Sequence, residues 1–578
     1  MTGVDEHEQQ LVSRVLAAFL REDVVGLRSR GRVVHRSDGH WLGLDGDDTV
    51  LVPVTADGFL CEVTAREPLL LSGSGSREVR TLTEIISAIA RFADPRDRAG
   101  FVRFAEESAR SLVARRLHAG TWDQLVTDLR HSYGGRTAGW TGLGAGTAFD
   151  ALAARHDHPV YPTSRGRRGF DETQLRAYAP EFHPRFTLRW LAVPRTATTI
   201  AAAADQAPYW PSPAAMGLAG RAGSHVLLPV HPLTVGAPLE MALRECGLAD
   251  ECVLAESSYL EVIPTLSMRT VAIADDPTEH VKLPLATATL GERNVRSIKP
   301  RTLADGARTH RLLLRVLRLE PALATRILLA DESAYLHAEH DMLAVLRRRY
   351  PSGLGDAVVV PMAALLADAA EGGRVIDHLA GEFFHGSPTA LFDSWITLLF
   401  DWQTTLFGYG IALESHQQNI SVVLDHHRGV TRLRLLLKDN DTPRVNTARL
   451  AARLGATPPV FDDPRIAVGD DRALTDLFTT ITVHLCAGSY AFELSRLGYG
   501  SRTTLLALVR HRLEQAVVRL TPSDAARLRT DVLEPKTLPI KAMVSAGTLF
   551  DKHRHGVVDV NKHYLDGPNY LRWKGSSQ

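Results

Sequence analysis

The stretch Gly408-Tyr-Gly-Ile-Ala-Leu-Glu-Ser-His-Gln-Gln-Asn419 runs into an apolar hairpin over Asn419–Lys438, the strongest local constraint on the fold. Its second arm, Leu433-Arg-Leu-Leu-Leu437, is strand-like and delivers Asp439 at its end, within Leu437-Lys-Asp-Asn-Asp441. Such a hairpin must bury at least one face, which fixes the polar groups at its ends on the margin of a core. Glu414, His416, Gln418 and Asn419 are thereby gathered with Asp439. Carboxylates hold a hard cation such as Mg2+ through oxygen, while imidazole and amide groups orient phosphate or a carboxylate, the set a Mg-nucleotide site needs. The competing reading is a polar strand end with solvated charges.

The chain is 578 residues long, about three or four domains' worth of material by length. Hydrophobic residues at 45% and charged residues at 23% are those of a soluble globular protein. Lys+Arg and Asp+Glu are equal at 66 each, so no global charge points to nucleic acid or an acidic membrane surface. Cys61, Cys246, Cys252 and Cys486 are scattered and form no CxxC pair, against a structural zinc, an iron–sulfur cluster or a disulfide framework. The acidic, polar start Met-Thr-Gly-Val-Asp-Glu-His-Glu does not read as a signal peptide. The most apolar stretch, Trp395 to Leu413, is interrupted by Asp401 and Gln403 and reads as a buried helix. A cytoplasmic enzyme is expected.

Arginine supplies nearly all the basic charge. Lysine occurs only at Lys282, Lys299, Lys438, Lys536, Lys541, Lys552, Lys562 and Lys574. The two cations are not equivalent at phosphate sites, so Lys282, Lys438 and Lys541, set within apolar runs, draw attention.

Helical spacing over Glu8–Glu22 predicts an amphipathic opening helix. Short strands follow at Val33-Val34, Trp41–Leu44 and Val50–Val54, and helices from Thr81 to about His131. Further strands are expected at Phe186–Val193, Val226–Val230, Tyr259–Ile263, Thr270–Ala274 and Val281–Leu285. Helices are expected again from Thr309 to about Arg349. The expected class is α+β, with an N-terminal domain over 1–150, a middle domain over 151–355 and a largely helical C-terminal domain over 356–578.

Four further clusters carry chemistry. The Pro-stiffened loop Asp157–Phe170 combines His158, Thr163, Ser164, Arg165, Arg167 and Arg168, which suits a polyanion or a solvated charge run. Pro264–Thr270 places Ser267, Arg269 and Thr270 at a strand junction, where they could grip phosphate or brace a nearby Glu. Lys282 lies on a predicted strand and needs an anionic partner, with Thr287, Thr289 and Arg293 close behind. Leu538–Met543 presents Lys541, whereas His231, beside proline, reads as a core histidine. No P-loop, strand-linked GxGxxG, GxSxG elbow or HExxH helix is present, and Ser72–Ser76 lacks the Lys and helix of a phosphate loop.

Taken in order, these motifs resemble the aerobactin-synthetase (IucA/IucC) family, the siderophore synthetases that work independently of nonribosomal peptide synthetases. The resemblance runs from Glu8–Arg14 through Tyr178–Phe182, Leu228–Pro232, Ser267–Thr270 and Lys282–Arg293 to Glu414–Asn419, Lys438-Asp439 and Lys541-Ala542. It implies a thumb, fingers and palm architecture with ATP between fingers and palm, and a homodimer. It implies that Ser267, Arg269, Thr270, Lys282, His416, Gln418 and Asn419 hold the nucleotide, and that Glu414 and Asp439 position Mg2+. His158, Thr163, Ser164, Arg165, Thr289, Arg293 and Lys541 would face the acid substrate, with Arg293, His416 and Lys282 catalytic. The family loop G-H-P-x-H-P-x-x-K-x-R-x-G-F is altered here at Asp157, Tyr161 and Arg165, and the T-S-x-x-R element carries Leu290. The changes at Tyr161, Arg165 and Leu290 fall on the expected acid side, so the acid is left unassigned, citrate included.

The implied chemistry is attack of a substrate carboxylate on the α-phosphorus of MgATP, followed by capture of the acyl-adenylate by an amine or hydroxyl. The alternative is a small-molecule kinase using Glu414, Asn419 and Asp439, although the H-x-D base and a Gly-rich loop are missing. A ferric-siderophore binder or reductase is a third reading, and the clustered C-terminal cysteines of the related reductases are absent.

Overall fold

The computed structural model describes residues 5–46, 49–73, 77–551 and 563–572. Lys552, Lys562, Lys574, the first four residues and the last three of Ser72–Ser76 lie outside them. The class is α+β, built from helices and mainly antiparallel sheets.

The opening helix, Glu6–Arg21, buries Leu11, Val12, Val15, Leu16, Phe19 and Leu20, one face at helical spacing, and Asp5 caps it by accepting from the His7 amide. That face packs on a six-stranded antiparallel sheet containing Arg32–Arg36, Gly39–Leu44 and Val50–Ala56. The helices Leu82–Ala90, Arg98–Gly120 and Trp122–Tyr133 follow, as the spacing predicts.

The expected strands of the middle region form a nine-stranded sheet, whose centre pairs Tyr259–Pro264, Thr270–Ile273 and Glu279–Lys282 antiparallel. The expectation of helices from Thr309 to about Arg349 is corrected. The helix is Pro300–Leu319, and the chain then forms strands Ile327–Leu329, Asp331–His337 and Ala344–Arg349. The arginines that resemble a solvated helix face instead find cross-strand acids. Arg349 lies opposite Glu279, and Arg348 pairs with Glu332 at 2.6 Å.

The hairpin is present as Ile420–His427 and Val430–Leu437, antiparallel throughout, with Ile327–Leu329 added parallel along one edge and Val358–Pro361 along the other. Helix Pro388–Gly408, with Trp395, Phe400 and Trp402 fully buried, crosses this sheet and packs on helix Arg502–Val518. No helix of the described residues is long and apolar enough to cross a membrane.

Two buried carboxylates tie the N-terminal helices to the segment Ser545–Leu549. Glu22 accepts from the amides of Val544 and Ser545 at 3.0 and 2.8 Å. Glu107 accepts from the hydroxyls of Tyr161, Thr163 and Thr548 at 2.8, 2.6 and 3.1 Å. Gly100 lies so close to this segment that a Cβ there would sit 2.0 Å from the Leu549 carbonyl oxygen.

Candidate active site

Asp439 follows the second hairpin strand at φ +54°, a left-handed backbone that Asp tolerates better than most residues. Its amide donates to Glu332 Oε1 at 3.0 Å. One carboxylate oxygen meets Lys282 Nζ at 2.6 Å and the other Arg348 Nη2 at 2.7 Å. Lys282 also reaches Asp441 at 3.3 Å, and Arg348, wholly buried, donates from Nε to Glu332. Burial pushes the Asp439 carboxyl up, but Arg348 and Lys282 outweigh it and hold the group well below the usual carboxylate range. Lys282 and Arg348 stand on the adjacent strands Glu279–Lys282 and Ala344–Arg349. The network thus rivets the nine-stranded sheet to the end of the hairpin.

In front of it lies a cavity of about 730 Å³. Ser267, Arg269, Lys282, His416 and Gln418 line it, as do His158, Ser164, Thr289, Arg293, Glu414 and Lys541. The turn Ser267–Thr270 is held by the Thr270 amide donating to Ser267 Oγ at 3.0 Å, with Met268 at φ +63°. Arg269 donates to the Ser297 carbonyl at 2.5 Å. Arg296, which sequence reasoning missed, joins it in the wall, where burial and the neighbouring Arg269 and Arg167 push its guanidinium down to about 9.

Three histidines line the cavity, His156, His158 and His416, and burial favours the neutral form of each. Burial, His416 and Arg14 push His158 down to about 3. Burial also lowers His416, against the pull of Glu414. His158 Nδ1 accepts from the amides of Val160 and Tyr161 at 3.3 and 3.0 Å, and His416 Nδ1 from the Gln418 amide at 3.3 Å. In each of these two neutral rings the hydrogen therefore sits on Nε2, making that nitrogen a donor. Burial raises the Glu414 carboxyl, but Lys541 at 3.4 Å and His416 outweigh it and leave the group lowered.

Five of the expected residues do not line this cavity, and one of them, Asp439, stands behind its wall at Lys282. Thr270 is buried behind the turn, its Oγ1 without a hydrogen-bond partner among the described residues. Asn419 donates from its side chain to the Glu414 carbonyl at 3.1 Å and braces the loop. Thr163 is bound to Glu107, and Arg165 to Asp157 at 2.9 Å. Arg293 lines the cavity while its guanidinium donates to the Ala546 carbonyl at 2.8 Å and to that of Phe550. Of the three departures Tyr161, Arg165 and Leu290, only Leu290 borders the cavity. His231 is a core residue: its Nδ1 accepts from the Leu233 amide at 3.1 Å, and Tyr178 and Phe186 pack against the ring.

Arg348, Glu332 and Asp441 were not singled out from the sequence. The available signal was the run Arg347-Arg-Arg349 beside apolar Ala344-Val-Leu346, an arginine cluster demanding acids within a strand-like context.

The IucA / IucC family model matches residues 147–367, and a model described as ferric iron reductase FhuF-like transporter matches residues 402–555. Within the second match the one cysteine, Cys486, is buried with its thiol against the Ser415 carbonyl. Staphyloferrin B synthase of Staphylococcus aureus is 22% identical over 573 residues, covering 94% of both chains. The petrobactin biosynthesis protein AsbB of Bacillus anthracis superposes with a TM-score of 0.76 at 16% identity, covering 98% of this chain and 95% of that one. ATP-bound aerobactin synthetase IucA of Klebsiella pneumoniae gives 0.68 at 17% identity, covering 97% and 99%.

Proposed function

Because the chain belongs to the IucA/IucC family and is an enzyme of the siderophore synthetase type, we propose that it is an ATP-dependent, AMP-forming ligase. It activates a di- or tricarboxylic acid as an acyl-adenylate and joins it to an amine or hydroxyl nucleophile, with amide formation the expected outcome. The carrying observation is the convergence of Arg269, Lys282, Arg293, Arg296 and three neutral imidazoles on one cavity of about 730 Å³.

A carboxylate oxygen must approach the α-phosphorus of a polyanion. At ~4 Å and an effective dielectric near ~20, each unit-charge pair is worth roughly 4 kcal/mol, so several fixed cations can offset the repulsion. Asp439 orients Lys282 toward this encounter and Ser297 braces Arg269. The Nε2 hydrogens of His158 and His416 supply donors that need no change of protonation. As the carboxylate oxygen bonds to phosphorus, the bridge to the β-phosphate breaks and pyrophosphate leaves. The nucleophile then attacks the acyl carbon and AMP departs with the electron pair.

Magnesium bound through nucleotide phosphates needs only one or two protein carboxylates. Glu414 and Asp441 line the cavity, each against a single lysine, and fit that need better than Asp439, which already holds two cations. The ion would supply charge neutralisation at the phosphates. The same reading makes the enzyme a cytoplasmic homodimer whose partners are small molecules, with neither nucleic acid nor membrane among them.

The test is a screen of carboxylic acids with ATP, hydroxylamine as trap and pyrophosphate as readout. Hydroxamate with AMP supports the synthetase, and ADP as sole nucleotide product supports a kinase.

A further inference from the structure

A second cavity, of about 340 Å³, adjoins the first, and the two share Glu414, Thr442 and Lys541 in their walls. The Glu414–Lys541 ion pair at 3.4 Å stands between them like a doorpost. Beyond it the walls carry Arg444, Asp470, Arg472 and Asp476.

The charges there are unevenly satisfied. Asp476 has its nearest cation, Arg472 Nε, at 3.7 Å, and Arg472 is 85% exposed, so solvent weakens that pairing. Burial raises the Asp476 carboxyl; Arg472 pulls it part of the way back, and Asp531 and Asp470 nearby add smaller upward pushes. Arg444 turns its guanidinium to the carbonyls of Thr442 and Pro443 at 3.4 and 3.3 Å. With Glu414 and Lys541 matched to one another, Asp476 and Asp470, whose Oδ1 also accepts from the Arg472 and Ala473 amides, share one small space with the cations Arg444 and the largely exposed Arg472. A polyamine or a dicarboxylate would leave one sign unmatched, whereas a zwitterion matches both.

We propose that this cavity holds the nucleophile as an amino acid, its α-ammonium toward Asp470 and Asp476 and its α-carboxylate toward Arg444. Its side-chain amine is delivered past Glu414 and Lys541 into the larger cavity. The assignment rests on the synthetase reading above and names the class of amine that the reading left open.

The experiment uses the full-length enzyme with an acid that gives hydroxamate. L-Ornithine is compared with 1,4-diaminobutane, 5-aminopentanoate and butylamine, which lack the carboxylate, the α-amine or both. L-2,3-Diaminopropanoate is compared in the same way with ethylenediamine, 3-aminopropanoate and ethylamine. At one chain length at least, the zwitterion exceeds each counterpart by about tenfold or more in kcat/KM, the scale of one well-placed charge pair. Asp476→Asn erases the advantage over the deaminated counterpart, and Arg444→Gln that over the decarboxylated one. Hydroxylamine trapping stays intact in both variants. Counterparts within about threefold of the zwitterion at both lengths overturn the subsite, as does loss of trapping in either variant. Wild-type enzyme that gives no hydroxamate with any acid removes the synthetase reading itself, and this assignment with it.

Discussion

Lys282 Nζ lies 2.6 Å from Asp439 Oδ1, so a sheet lysine and a hairpin-end aspartate close one contact across the two halves of the site. Arg269 lies near enough to feel the charge of the same aspartate. Asp439→Asn and Arg269→Ala are each expected to abolish acid-dependent pyrophosphate release, by about a thousandfold or more, with every acid tried. Near-normal release in both variants would remove the site assignment.

Arg348 is a positioning residue. It is wholly buried between Glu332 and Asp439 and touches no cavity wall. Removing one partner from such a cluster leaves charge buried and unpaired, which costs about 3–5 kcal/mol. Arg348→Met should lower the urea midpoint accordingly, and Arg348→Met combined with Glu332→Gln should recover part of that loss. A single variant as stable as the parent would show that the network contributes little.

Several buried histidines make stability depend on pH. His158 and His231 are pushed down to about 3, and His156, His183 and His484 to about 4, in each case chiefly by burial. Unfolded, these rings take up protons once pH falls below about 6.5. Between there and pH 4 the unfolded state binds more protons, so stability is full above about pH 6.5 and declines on acidification. Each such ring contributes up to about 1.4 kcal/mol per pH unit. Calorimetric unfolding at pH 5.5 in buffers of different ionisation enthalpy should reveal uptake to which these five rings alone contribute about four protons. An uptake below one would contradict the burial described.

Gly100 offers a steric test. An alanine methyl there would meet the backbone of Leu549, whose segment supplies the carbonyls that hold Arg293. Gly100→Ala should cost about 1–3 kcal/mol, as overpacking does, and raise KM for the acid more than for ATP. Equal effects on both substrates would argue against this link.

The hairpin was legible because both its arms are long and apolar, and Lys282 because lysine is so scarce in this chain. The strand Ala344–Arg349 was not, because three successive arginines resemble a solvent face until Glu279, Glu332 and Asp439 arrive from distant parts of the chain. The loop after Asp157 misled in a similar way. Tyr161 and Arg165 seemed to face the acid, yet Glu107 and Asp157 claim them. Composition announces that a charged or hydroxyl group needs a partner, while only tertiary structure chooses between a neighbour and a ligand.

Glu22 sits at the end of the first helix, yet its carboxylate caps amides more than five hundred positions downstream. A ribosome must therefore add more than five hundred further residues before that acid finds its mates. Until then it is a desolvation liability, so the emerging front half should remain loosely closed. Cutting the chain just ahead of Val544 would then damage the domain made first, although the cut lies more than five hundred positions away.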